Sequence, residues 1–267
     1  MQKLGFVGGG VMAEAIIRGV IARGLVPPES IAVGEPVPAR REVLATRFGV
    51  RAVAENVEAI SGADVIVLAV KPQFAPSALA SLTGAVRAGQ LVVSIMAGIT
   101  IAQIREAVAP AAIVRVMPNT PAQVGEGISA WTATAEVTSA QEEDVRALLG
   151  ALGKQVRVGG EHYIDMATAL SGSGPGFVLL MIEALVDAGV QIGFARAVAE
   201  ELAVQTVLGT AVMARDSDRH LAELRNAVTS PGGTTAAGLF ELEDGRLRAV
   251  IARAVLAAHQ RCVDLGK

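Results

Sequence analysis

The sequence predicts a doubly wound α/β domain followed by an all-helical one, on three observations. Short apolar runs recur through the first part of the chain, at residues 4–8, 31–33, 65–70, 91–95 and 113–117, separated by helical or turn-rich segments. The triplet Gly8, Gly9, Gly10, followed by Val11, Met12 and Ala13, closes the first run and opens a helical periodicity. Beyond Gly159 and Gly160 strand signatures stop and long apolar-periodic stretches take over.

The runs are continuous rather than alternating, as strands are when helices cover both faces of a parallel sheet. Residues 4–8 form the first such strand, and residues 12–23 carry the 3.6-residue period of the first helix. The remaining runs repeat strand, helix, strand, which is the pattern of a Rossmann-like doubly wound domain. Residues 127–158 add another strand or two and a helix over 139–152. The change of texture places a boundary at residue 160, with a dinucleotide-binding domain over 1–160 and a helical domain over 161–267. In the latter, residues 176–193, 195–215 and 247–263 read as helices. Helices this apolar present more surface than one such unit hides, so a partner subunit is expected to cover it.

Composition narrows the function classes. With 52% hydrophobic but only 3% aromatic residues, the core of this 267-residue chain must be built from Ala, Val, Leu and Ile. A net charge of −3 and the lack of a Lys/Arg-rich run leave no basic field for nucleic acid. The single cysteine, Cys262, rules out an intrachain disulfide and a Cys-cluster metal site, and reads as a packing residue rather than a nucleophile. His162, His220 and His259 lack ligand spacing, so no metal is expected. No apolar run approaches the roughly 20 residues a membrane span needs, and Met1, Gln2 and Lys3 lead straight into a strand rather than a signal sequence. A soluble, reducing, cytoplasmic setting is the expectation.

Residues 8–13 match G-x-G-x-x-G/A in the place the motif requires, after a strand and opening a helix. Gly8 permits the tight turn, Gly10 lets backbone approach a pyrophosphate, and Ala13 allows the helix to pack closely on the strand. The helix N-terminus supplies the positive end of a dipole. Glu35, 25 residues beyond Gly10 at the end of the second run, is placed to accept hydrogen bonds from the adenosine ribose and hints at NAD. Arg40 and Arg41 argue for NADP if they reach a 2′-phosphate, and for an ordinary solvated helix face if they do not. At the carboxyl end of the 65–70 run, Ala69, Val70, Lys71 and Pro72 occupy a position where such sheets gather ligands. In the stretch from Ser94 to Gly98, Ser94, Ala97 and Gly98 are small enough to admit a nicotinamide ring.

A second loop suits a different anion. Ser230, Pro231, Gly232, Gly233, Thr234 and Thr235 pack hydroxyls and glycines into a turn that runs into an alanine-rich helix. Such a turn aims unpaired N–H groups at one point, as a carboxylate requires, although an ordinary helix cap draws on the same residue types.

Taken together, residues 8–13, Asn56, residues 69–73, Arg115 to Pro121 (Arg-Val-Met-Pro-Asn-Thr-Pro), Leu170 to Pro175 (Leu-Ser-Gly-Ser-Gly-Pro) and residues 228–239 resemble Δ1-pyrroline-5-carboxylate reductase, in order and across essentially the whole chain. The resemblance implies reduction of a cyclic imine to L-proline with NADPH or NADH, by a Rossmann domain joined to a helical domain that makes a homodimer or a larger homo-oligomer. It further implies that the loop at Ser230, Gly232, Gly233, Thr234 and Thr235 holds the substrate carboxylate, with the Thr235 hydroxyl near the ring nitrogen. By the same resemblance Asn56 contacts the adenosine side of the cofactor and Glu161 borders the substrate. Four positions depart from the pattern: Val11 stands for an amide residue, Gly176 and Phe177 for Ala and Tyr, and Glu35 for the serine common in NADP-preferring members.

Imine reduction asks little of the protein beyond positioning and polarisation, because the cofactor carries the hydride. Two other classes stay open on the residues alone. A reductase of the β-hydroxyacid or prephenate type calls for a Lys or His in the helical part, yet residues 163–215 contain neither. A non-catalytic dinucleotide sensor leaves the turn at residues 230–235 without a purpose.

Overall fold

A computed structural model describes residues 1–108 and 111–266, so Lys267, the end of the expected second domain, lies outside the described residues. Its strands are β1 (Leu4–Val7), β2 (Ile31–Gly34), β3 (Arg51–Val53), β4 (Val65–Leu68), β5 (Leu91–Ser94), β6 (Ala112–Met117), β7 (Gly127–Ala133) and β8 (Gly153–Arg157). They form one sheet in the order β3-β2-β1-β4-β5-β6-β7-β8. The first six are mutually parallel, β7 runs antiparallel to β6, and β8 is parallel to β7. Strand order reverses beside β1, which opens a crevice at the carboxyl ends of β1 and β4.

The continuous apolar runs are explained by burial on both faces. Leu4, Phe6, Val65, Val67, Leu91 and Val93 point into one apolar cluster, whereas Val7, Ile66, Leu68 and Val92 point into another. Helix α1 (Val11–Ala22) covers the first cluster through Ala13, Ile16, Ile17 and Val20, the one-face spacing of an amphipathic helix. The crossovers continue through α2 (Pro38–Phe48), α3 (Asn56–Ile60), α4 (Ala75–Ser81) and α5 (Ile101–Val108). Helix α6 (Ser139–Gly150) starts on a capping box between Thr138 and Gln141. Strand β3 is an addition to the sequence expectation. It is three residues long, begins with the exposed Arg51 and lies at the sheet edge, so it carries no apolar run.

Packing divides the chain differently from composition. One compact unit comprises Met1–Ser173 with Ala258–Lys267, and the other Gly174–Ala257. The line falls after residue 160 because α7 (His162–Ala167) packs on β6 and β7, where Ile164 is buried with Met117 and Ala130.

The second unit is helical: α8 (Gly174–Gln191), α9 (Arg196–Arg215), α10 (Leu221–Ala227), α11 (Thr234–Asp244) and the first part of α12 (Leu247–Leu265). Helices α8 and α9 close on each other at Val186, Ala199 and Ala203, with Gly189 against Ala199. Most of their apolar side chains stay exposed, among them Leu179, Leu180, Ile192, Leu202 and Leu208. The expectation that no segment is long and apolar enough for a membrane is corrected here. The helical stretches His162–Gln191 and Arg196–Arg215 both pass that test by length and composition, because Glu183 and Asp187 interrupt the first without ending its helix.

Candidate functional site

The glycine loop sits at the switch point of the sheet. Gly8 has φ +95° and its N–H donates to the Gly34 carbonyl at 2.8 Å. A Cβ there would lie 2.8 Å from Val70 Cγ1 and 3.0 Å from the Ala69 carbonyl oxygen, so dihedral and space both demand glycine. Gly10 is the N-cap of α1, with no side chain capping it, and a Cβ on it would meet nothing within 4 Å. The first-turn N–H groups of α1 therefore open outward without side-chain competition. Val11 stands 61% exposed at the first helical position. Met12 packs against the core and Ala13 is fully buried, bringing helix close to sheet.

A cavity of about 390 Å³ lies before this loop. It gathers seven of the expected cofactor residues: Gly8, Gly10, Glu35, Asn56, Ala69, Val70 and Lys71. Val11, Met12, Ala13, Pro72 and Ala97 are not in its lining. Pro72 begins a short 3₁₀ turn, and Ala97 packs beside Met117, Ala130 and Ile164. The lining also contains Gly9, the variable position within the glycine motif, and Gly34, Pro36, Val37, Phe74, Ser77 and Ala78, which carry no motif. Gly34 alone had a readable reason, ending a strand where Asn56 approaches; a Cβ on it would sit 2.6 Å from Asn56 Oδ1. Asn56 donates through Nδ2 to Ser81 Oγ at 3.0 Å.

Charges around the loop are paired. Glu35 accepts from the Gly9 N–H through Oε2 and from the Val37 N–H through Oε1, each at 3.0 Å. Arg40 donates to the Gly9 carbonyl at 2.6 Å and to Glu14, which also holds Arg47. Arg41 donates to the carbonyls of Glu35 and Pro36 at 2.8 and 2.9 Å.

Glu161 is tied into the first unit. Its Oε1 accepts from Arg115 Nη1 at 2.8 Å and from the Ile101 N–H, at the start of α5, at 2.6 Å. Arg115 Nη2 donates to Asp165, whose carboxylate also receives the Cys262 thiol at 3.6 Å. Burial pushes the Cys262 thiol above its ordinary value, which keeps it an inert packing residue. Among the described residues no His, Cys, Asp and Glu group is arranged to hold a metal ion.

The 230–235 loop belongs to the second unit. Gly232 has φ +70°, and Gly233 is the N-cap of α11 with no side chain capping it. The Gly233 N–H donates to the Ser230 carbonyl at 3.0 Å, closing the turn, and the Ser230 hydroxyl folds over Gly233 where a Cβ would collide with it. Thr234 and Thr235, the first two helical residues, are exposed, and their N–H groups have no intrahelical acceptor. The turn therefore presents N–H donors and a hydroxyl together at a helix start, as an anion site requires.

Two family models match the chain. Residues 161–265 match pyrroline-5-carboxylate reductase dimerisation, and residues 3–98 match NADP oxidoreductase, coenzyme F420-dependent. A pyrroline-5-carboxylate reductase from Synechocystis sp. is 47% identical over 99% of this chain and 98% of its own length. The structure of a pyrroline-5-carboxylate reductase from Coxiella burnetii superposes with a TM-score of 0.91 at 36% identity, covering 100% of this chain and 99% of that one. That of Plasmodium falciparum pyrroline carboxylate reductase with NADP bound gives 0.91 at 33% identity, covering 100% and 98%. With identity of this order along its whole length, and an N-terminal sheet and C-terminal helices of the same kind, the chain belongs to the pyrroline-5-carboxylate reductase family.

Proposed function

We propose that this chain reduces Δ1-pyrroline-5-carboxylate to L-proline with NADH or NADPH, the last step of proline synthesis. The observation that carries the reading is a chain with two uncapped helix starts, at Gly10 and Gly233, each built from glycine turns that leave backbone N–H groups for an anion.

The glycine loop fits a dinucleotide: glycine at residue 10 leaves open space where a pyrophosphate needs to approach, and α1 directs its positive end there. Gly8, Gly10 and the first-turn backbone at Val11 and Met12 hold the pyrophosphate side, with the buried Ala13 letting the helix sit close behind them, while Glu35 and Asn56 hold the adenosine side. Ala69, Val70, Lys71 and Pro72 flank the cofactor, and Ala97 keeps the nicotinamide end unobstructed. When bound, the reduced nicotinamide supplies the hydride. Ser230, Gly232, Gly233 and Thr234 hold the substrate carboxylate, and Glu161 borders the substrate. The Thr235 hydroxyl hydrogen-bonds the imine nitrogen and orients it; that nitrogen takes one proton from solvent, so the carbon that accepts hydride is electrophilic and the product is the neutral ring amine, without Thr235 acting as a strong acid. The exposed apolar faces of α8, α9 and α12 make a homodimer, working in the cytoplasm.

A spectrophotometric assay of NADH and NADPH consumption with pyrroline-5-carboxylate tests the reading. Turnover dependent on the imine supports it. Binding of either cofactor without turnover leaves a dinucleotide sensor instead, and turnover confined to hydroxyacid or prephenate substrates transfers the chain to those reductases.

A further inference from the structure

We infer that the enzyme selects NADH over NADPH and that Glu35 is the discriminating residue; this rests on the reductase reading above. The two cofactors differ by one phosphate on the adenosine ribose, so the choice is made by what stands at the end of β2. There the cavity is lined by Glu35, Pro36 and Val37. The Glu35 carboxylate is held in place by the N–H groups of Gly9 and Val37, at 3.0 Å each. Its remaining lone pairs accept ribose hydroxyls, whereas a 2′-phosphate would face a like charge that cannot swing away.

Neither nearby arginine offsets this. Arg40 is spent on the Gly9 carbonyl and on Glu14, and Arg41 on the carbonyls of Glu35 and Pro36, so both guanidiniums brace the loop. Neither lines the cavity. Lys71 does, but it follows β4, which lies two strands from β2. Two strand spacings set the ends of β2 and β4 roughly 9–10 Å apart, so Glu35 and Lys71 enter the cavity from different strands.

Titration of the purified protein with NADH and with NADPH, followed by cofactor fluorescence, tests this without turnover. The wild type is expected to bind NADH about tenfold or more tightly than NADPH. Glu35→Gln, which keeps an acceptor and removes the charge, and Glu35→Ser are expected to bring the two constants to within about threefold, mainly by tightening NADPH. Arg41→Ala, which unties the backbone of Glu35 and Pro36 without removing a phosphate ligand, is expected to weaken both cofactors together and not NADPH alone. Equal or tighter NADPH binding by the wild type overturns the inference whatever the variants do. So does an unmoved ratio in a folded Glu35 variant, or a selective loss of NADPH in Arg41→Ala. Failure of the wild type to bind either cofactor removes the reductase reading itself, a result distinguishable from binding with the opposite preference.

Discussion

The Arg115 guanidinium donates to Glu161 across 46 residues of sequence, at 2.8 Å, from a side chain only 1% exposed. The same guanidinium reaches Asp165 at 2.7 Å, so one buried cation on β6 fastens two successive turns of the segment entering the helical half. Glu161 in turn holds the start of α5, linking that helix to the same point.

Removing Arg115 leaves two carboxylates facing a void. Arg115→Ala is expected to lower unfolding stability by about 3 kcal/mol, the low end for breaking a buried ion pair, because both carboxylates keep partial contact with water. Arg115→Lys should recover only part of this, since one ammonium cannot reproduce the fork that meets both acceptors. Urea unfolding at neutral pH measures both, and a loss within error of zero for the alanine variant would show that the network is not stabilising.

Gly8 and Gly10 should respond oppositely to the same substitution. Gly8→Ala forces a side chain onto a φ of +95° and against Val70, and is expected to cost about 1–3 kcal/mol of stability. Gly10→Ala meets no protein atom within 4 Å and should shift Tm by no more than about 3 °C. It should nonetheless weaken cofactor binding about tenfold or more, because its methyl occupies space assigned to the pyrophosphate. Thermal melts paired with cofactor titration separate the two effects.

Thr235 is exposed at the first turn of α11, so its hydroxyl contributes little to folding. Thr235→Ala is expected to keep stability within about 0.5 kcal/mol and to lower kcat/KM for the imine by roughly tenfold to a thousandfold. Steady-state kinetics on the folded variant decides, and unchanged kinetics would remove Thr235 from the mechanism.

Glu136 gives the clearest acid response. A hydrogen bond from the Thr134 side chain, and then one from Arg105, hold its carboxyl down to about 2, from an ordinary 4.5. Because the folded state favours the ionised form, the contribution is fully present above about pH 4.5 and fades as pH falls toward 2. Urea midpoints of the wild type and Glu136→Gln should therefore differ at neutral pH and converge on acidification through that window. Added salt should narrow the neutral-pH gap, since Arg105 and Glu136 are exposed. A gap that is constant with pH would contradict the assignment.

Much of the first unit was legible residue by residue. Phe6 and Val7, or Val67 and Leu68, are consecutive apolar residues because the two faces of one sheet are both covered. The start of α1 was readable from Gly8 to Ala13, since local sterics and helix-end chemistry act over a few residues. Strand β3 was not, because an edge strand with Arg51 leaves no apolar pattern. The alternation of strands and helices, the position of the phosphate-suited turn and the glycine-hydroxyl turn at residues 230–235 are thus properties of short segments, set by local geometry and the period of burial. Which way Arg40 and Arg41 point, that Glu35 is pinned by Gly9, and that Arg115 selects Glu161 and Asp165 as partners are decisions of the folded chain. Hydrogen bonds and ion pairs between segments depend on distances that exist only once the sheet has brought remote residues together.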